Sequence, residues 1–261
     1  MRARLVGWLL PALVGLLALG AWEAAIRFLD VPPYIVPAPS RIARALVQDW
    51  PILGPALVFT LKIAALSLLA AVAGGGALAL LFARSPLIER SLFPYAIILQ
   101  VTPVVSVAPL IIIWVDNTTA ALLICAWIVA FFPILSNTTL GLASADRNLS
   151  ELFRLYGASR WQTLRYLRLP SALPYFLAGV RISGGLALIG AVVAEFVAGA
   201  GGRESGLAYR ILEAGYRLDI PRMFAALALI SVAGVAIYAL LAGLSHLLLR
   251  HWHDSALARE E

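Results

Sequence analysis

The side chains able to do chemistry are few and scattered. Three histidines, His246, His251 and His253, crowd one stretch, and Cys125 is the sole cysteine. A zinc cage would lack ligands, and no intramolecular disulfide is possible. The histidines fit better as amphipathic anchors at a helix end. Lys62, the single lysine, lies between Leu61 and Ile63. A P-loop lysine must instead follow Gly-x4-Gly to reach the β- and γ-phosphates. Gly199-Ala200-Gly201 lacks the third glycine of a dinucleotide loop, and neither His-Glu-x-x-His nor Gly-x-Ser-x-Gly occurs. The chain is therefore expected to hold no catalytic residue, no metal and no cofactor of its own.

The composition points to a different kind of work. Of 261 residues, 62% are apolar and 13% charged, whereas a soluble domain has roughly 45–50% and about 25%. Such a chain needs lipid as its solvent, which excludes a disordered tail, a disulfide scaffold and an ordinary cytosolic enzyme. The net charge of +6 comes from 19 arginines and one lysine against 14 acids. These charges punctuate apolar runs rather than forming a stripe, so lipid headgroups, not nucleic acid, are the expected counterpart.

A membrane helix needs about 20 mostly apolar residues. Six stretches qualify, near 5–29, 57–83, 91–115, 119–142, 175–197 and 223–249. The expected fold is an all-α, six-span integral membrane protein forming one domain over 1–261. The first apolar run continues past Gly20 to Leu29, which suits a retained span rather than a cleaved leader. With the N-terminus inside, the inner segments hold 11 Lys/Arg and the outer segments eight, with Arg181 inside span five. That bias predicts both termini in the cytoplasm. Residues 40–49 read as an outer interfacial helix capped by Ser40, with Ile42, Ala45 and Leu46 as its apolar face. Gly201-Gly202 opens a second outer loop over 199–219. The inner loop 143–171 is the most charged part of the chain, the place for a soluble partner.

That loop reads SELFRLYGASRWQTLRYLRLP from Ser150 to Pro170. Ser150 is the candidate cap of a helix with Glu151 in its first turn. Leu149, Leu152, Phe153 and Tyr156 share one face of that helix. Gly157 breaks it. Ser159 then starts a second short helix through Trp161 and Leu164, which Leu169-Pro170 is expected to end. The product is a rigid elbow with an oily face beneath the membrane.

The spacing of Glu151, Gly157, Leu167, Leu169 and Pro170 resembles the "EAA" loop of ABC importer permeases. Leu152 and Phe153 stand where the motif name has two alanines, and Leu167 replaces an isoleucine. Val36-Pro37-Ala38-Pro39-Ser40-Arg41, Phe131-Phe132-Pro133-Ile134 with Asn137, Thr138 and Gly141, and Val193-Ala194-Glu195-Phe196 resemble the nitrate/sulfonate/taurine-type subfamily. That subfamily also imports pyrimidine precursors of thiamine. Trp114-Val115-Asp116 departs from its usual Trp-Phe-Gly.

The resemblance implies a type I ABC importer permease in the bacterial inner membrane, working as a homodimer. An ATPase dimer would bind ATP and take the elbow through Glu151, Leu152, Phe153, Tyr156, Gly157, Ala158, Trp161, Leu164, Leu169 and Pro170. An extracytoplasmic binding protein would deliver a small organic anion (sulfonate, taurine or nitrate-like) or a pyrimidine precursor. ATP binding would draw two elbows together and switch the pore between its two openings.

Charge inside a membrane needs a reason. Arg181 is expected to snorkel to the inner headgroups, with pore contact as the alternative. Glu195, 14 residues further along, is expected to pair with Lys62. Gly179, Ser183, Ala187 and Ala191 form a small-residue stripe suited to helix packing. Pro103 and Pro109 break span three, which makes it a pore candidate. The expected translocation path comprises Gln100, Thr102, Ser106, Ser136, Asn137, Thr138, Ser183 and Glu195. The rival reading is an ion-coupled secondary transporter, for which the chain lacks paired midplane charges and evident inverted repeats. A lipid-embedded enzyme would need an acid/base set at one depth. Arg181 and Glu195 do not share one.

Overall fold

The computed structural model describes residues 2–199 and 205–250. Gly201, Gly202, Arg203, His251, His253 and Arg259 lie outside the described residues. All regular structure among the described residues is helical: α1 (Arg2–Phe28), α2 (Pro39–Gln48), α3 (Trp50–Arg84), α4 (Pro86–Val101), α5 (Val104–Trp114), α6 (Thr118–Ala143), α7 (Arg147–Leu155), α8 (Arg160–Thr163), α9 (Leu169–Ala198), α10 (Leu207–Tyr216) and α11 (Ile220–Leu249). Among the described residues five helical segments are long and apolar enough to cross a bilayer, and six if the bent pair α4–α5 counts as one span. Uninterrupted apolar sequence forces this outcome, because only a helix satisfies its own backbone in lipid.

The expected third span is not straight. α4 and α5 meet at 100°. The bend falls at Thr102, with ψ 121°, and Pro103, with ψ 113°. The proline ring drives its predecessor out of the helical region, so the chain turns there. Pro109, also expected to break the span, is accommodated inside α5. Residues 199–219, read as a loop, contain α10.

By contact density the chain divides into two compact units. The first comprises residues 1–58 and 201–231. In it α2 packs Ala45, with Ile42 and Leu46, against Leu53, Leu207, Ile211, Ala225 and Ala226, so the expected apolar face is the buried one. Ser40 is not its cap. The cap position is Ala38, which offers no side-chain acceptor, and Pro39 opens the first turn. The Glu23 carboxylate of α1 accepts instead, from the Ser40 amide at 2.9 Å and from its hydroxyl at 2.8 Å. An acid at a helix N-terminus satisfies an orphan donor and the dipole together. Arg222 and Asp49 make a half-buried ion pair at 2.7 Å in the same unit.

The second unit comprises 59–200 and 232–261, and its centre is the seam between α6 and α9. A Cβ on Gly179 would lie 2.9 Å from the Pro133 carbonyl oxygen, and one on Gly190 would lie 2.9 Å from Ala126 Cα. Ser183, fully buried, donates to the Ala130 carbonyl at 2.6 Å. The stripe Gly179, Ser183, Ala187 and Ala191 is buried throughout. Between lipid-solvated helices, close backbone approach of this kind supplies the attraction that apolar burial cannot.

Gly179→Val should lose about 1–3 kcal/mol by overpacking, read as a lowered Tm of the detergent-solubilised protein. Gly243→Ala, whose added Cβ meets nothing within 4 Å, should leave Tm equal or higher.

Candidate functional site

The segment from Asp146 to Arg168 is built as a braced elbow. Asp146 Oδ1 accepts from the amides of Asn148 at 2.7 Å and Leu149 at 3.1 Å, which starts α7 at Arg147. Ser150, expected as the cap, instead donates back to the Asp146 carbonyl at 2.9 Å. Glu151 therefore sits past the first turn, exposed to solvent. Both residues can cap, but an ionised carboxylate that accepts two amides outcompetes a hydroxyl.

α7 ends as the glycine predicts. Gly157 takes φ +70°, its amide donates to Arg154 at 3.1 Å, and the Ala158 amide donates to Phe153 at 2.9 Å. This pair of bonds is the Schellman stop, which needs a left-handed residue at its apex. Ser159 then closes a capping box with Gln162, through bonds of 2.7 and 3.2 Å. Seven hydrogen bonds within one short connection leave it little freedom, though α7 itself has no buried residue.

Leu169-Pro170 does not end the second helix. Residues 164–168 form one π-turn, in which the Leu169 amide reaches back to Leu164, and α9 follows without a break. Pro170 has no amide to donate and its ring crowds the carbonyl four residues earlier. A widened turn removes that clash. The result is a continuous helical run, Arg160–Ala198, of 39 residues. Arg168 Nη1 donates to the Ala83 carbonyl at the end of α3, at 3.4 Å.

Outside the turn the elbow is oily. Leu155 and Tyr156 are each 83% exposed and Trp161 57%, and Leu149 and Leu152 are exposed with them. Phe153 and Ala158 are half-buried. Leu164, expected to face a partner, is buried with Leu167 in the core and anchors the elbow instead. Leu169 and Pro170 line a cavity of about 880 Å³ whose wall is otherwise apolar, from Val72, Gly76 and Leu80 of α3 to Phe176, with Arg165 and Thr138 as its polar members.

The other sequence-derived positions are spread over the second unit. Gln100 and Ser106 are exposed on either side of the α4–α5 bend. Thr102, Asn137 and Thr138 each donate to the carbonyl four residues earlier, at 2.7, 2.8 and 2.5 Å. This back-bonding is the usual way a polar side chain is satisfied in an apolar helix. Ser136 is half-buried. Ser183 and Glu195 do not line the cavity. Glu195 is buried, and its two carboxylate oxygens lie 2.9 and 3.1 Å from Thr60 Oγ1. The expected Lys62–Glu195 pair is absent among the described residues, and Lys62 is exposed. Residues 60 and 62 point 200° apart around α3, so only one of them can face α9.

Comparison with known proteins places this geometry. Residues 66–256 match the family described as the binding-protein-dependent transport system inner membrane component. The chain belongs to this family. The permease is 37% identical to the riboflavin transport system permease protein of Chloroflexus aurantiacus, over 92% of this chain and 88% of that protein. It is 32% identical to the formylaminopyrimidine transport permease protein of Halalkalibacterium halodurans, over 92% and 94%. Its fold is similar to that in the crystal structure of an amino acid ABC transporter with histidines, with a TM-score of 0.63 at 20% identity, covering 76% of this chain and 95% of that one. The chain is thus a multi-pass permease subunit of an ABC importer, a transport component and not itself an enzyme.

Two features of the permease carried no usable signal in advance. Thr60 as partner of Glu195 is 135 residues distant, and the π-turn is visible only as a proline that fails to stop a helix. Asp146, not the expected Ser150, caps α7. Gly157→Ala should cost about 1–2 kcal/mol, because a Cβ is disfavoured in the left-handed region. Asp146→Ala should cost about 1 kcal/mol. Amide hydrogen exchange should show faster exchange at Ala158 in the first variant and at Asn148 and Leu149 in the second.

Proposed function

We propose that this permease couples to a separate ATPase through the elbow 147–163, with both chain termini and the elbow on the cytoplasmic face of a bacterial inner membrane. Two ATPases would serve two permease copies, and a binding protein would deliver cargo from the other side. One observation carries the reading: the elbow is fixed in shape by its own hydrogen bonds yet presents Leu149, Leu152, Leu155, Tyr156 and Trp161 without covering them. Apolar and aromatic anchors on a preorganised support are what a protein interface uses. Exposed Arg154 and Arg160 suit acidic groups on the rim of the receiving groove.

The helix that continues through Pro170 supplies the mechanical link. A run of 39 residues is about 58 Å long, with no hinge between the elbow and the far end of α9. Displacing the elbow would therefore tilt α9 as a lever, and the Arg168 contact would pass part of that motion to α3. Rigid-body switching of this type needs ATP-driven approach of the two elbows and nothing chemical from the permease.

The cargo we favour is a small planar nitrogen heterocycle. Two of its relatives, the riboflavin and formylaminopyrimidine transport permeases, are named for such molecules, and the cavity wall offers mainly carbon. Calorimetry on the cognate binding protein checks this, and preference for taurine over both heterocycles overturns it.

Leu152→Asp or Tyr156→Asp should each weaken co-purification with the ATPase by about 2 kcal/mol, roughly thirtyfold in affinity, and abolish ATP-driven uptake in vesicles. Uptake on an ion gradient with no ATPase present would instead establish the secondary-transporter reading.

A further inference from the structure

The depth of Arg181 in the second unit follows from the seam. On one side Gly179 abuts Pro133 and Ile134; on the other Ser183 reaches the Ala130 carbonyl. Arg181 is therefore level with residues 130–133 of α6. Those residues lie ten or more positions from both ends of Thr118–Ala143, about 15 Å or more at 1.5 Å per residue. An extended arginine covers less than half of that distance, so its guanidinium does not reach a headgroup phosphate by snorkelling.

Its direction is defined as well. Gly179, Ser183 and Gly190 face α6, and Gly184 faces Leu241 and Ile237 of α11. Arg181 occupies the remaining arc of α9, with Ala178, Ile182 and Ile189 exposed beside it. Gly185, one turn above, would place a Cβ with nothing within 4 Å. The arc is open.

Within this open arc the guanidinium is not internally satisfied. Nε of Arg181 is buried from solvent and has no hydrogen-bond partner among the described residues, and no described acid forms an ion pair with it. A permanently charged group at mid-membrane is retained for a partner that arrives from outside the protomer.

We propose that Arg181 is the cargo-selecting residue of the permease, gripping the hydrogen-bond-acceptor edge of the molecule as it passes mid-membrane. The planar fork of donors matches adjacent ring nitrogen and carbonyl oxygen atoms, and the same plane stacks on a heteroaromatic ring. The small and aliphatic neighbours leave room for such a ring. This assignment rests on the transport reading above, with the heterocycle as its favoured cargo.

The test uses the complete transporter, with its ATPase and binding protein, in proteoliposomes. Initial uptake of radiolabelled riboflavin and formylaminopyrimidine is measured against the concentration of loaded binding protein. R181Q and R181K should each lower the maximal rate about tenfold or more, with an unchanged half-saturating concentration of loaded binding protein. Gly185→Leu, which fills the open arc without touching the seam, should lower it similarly. Wild-type uptake by R181K overturns recognition by the guanidinium fork. Wild-type uptake by Gly185→Leu places this arc against lipid and overturns the proposal. Loss of a permease copy from purified R181Q assigns Arg181 to a contact between copies and overturns it too. If calorimetry shows that the binding protein holds taurine instead, the heterocycle reading fails separately. The same variants are then read on taurine uptake, where a loss upholds Arg181 and wild-type uptake overturns it.

Discussion

The approach of α6 to α9 at backbone distance constrains the rest of the second unit. Glycines on both helices leave no space for a side chain between them, and a hydroxyl from one helix bonds the main chain of the other. In lipid, where apolar burial gives little reason for one helix to prefer another over acyl chains, such steric fit and interhelical hydrogen bonding decide which pairs form. The buried cluster around Phe82, Ile134, Leu135, Leu142 and Leu164 assembles on this base. It secures the foot of the elbow through Leu164.

Stiffness is the property that follows. α6 enters the elbow through Asp146 and α9 leaves it without interruption, so the connection joins two helices that are already locked side by side. The Schellman stop at Gly157 and the capping box at Ser159 remove the torsional freedom of the short segment between them. A push on the exposed leucines and aromatic rings has no soft joint in which to dissipate. For a subunit that performs no chemistry, this rigidity would be its contribution to energy conversion under the coupling proposed above, in which work done on a separate chain is delivered to the helices.

Polar groups within the apolar segments follow two patterns. Thr102, Asn137, Thr138 and Ser183 spend their hydrogen on a main-chain carbonyl, which settles them without a ligand. Glu195 is settled beside Thr60. Two buried polar atoms fit neither pattern, since Arg181 Nε and Thr139 Oγ1 have no hydrogen-bond partner among the described residues.

Much of the architecture was legible because lipid simplifies it. Long apolar runs must be helices, so five of the expected spans appear as helices, although α3 and α9 begin seven and six residues earlier than read, and the turn at Gly157 follows from the one residue type that readily tolerates a positive φ. What the amino-acid order determined alone was therefore local: helix content, the glycine stop, the small-residue stripe and the oily face of α7. Tertiary structure decided the rest. Whether Pro170 ends a helix or sits behind a π-turn, whether Thr60 or Lys62 meets Glu195, and whether Leu164 faces outward or inward all depend on what packs alongside. Those choices are energetic competitions between near-equal local options, settled by neighbours distant in the chain, and no local pattern records them.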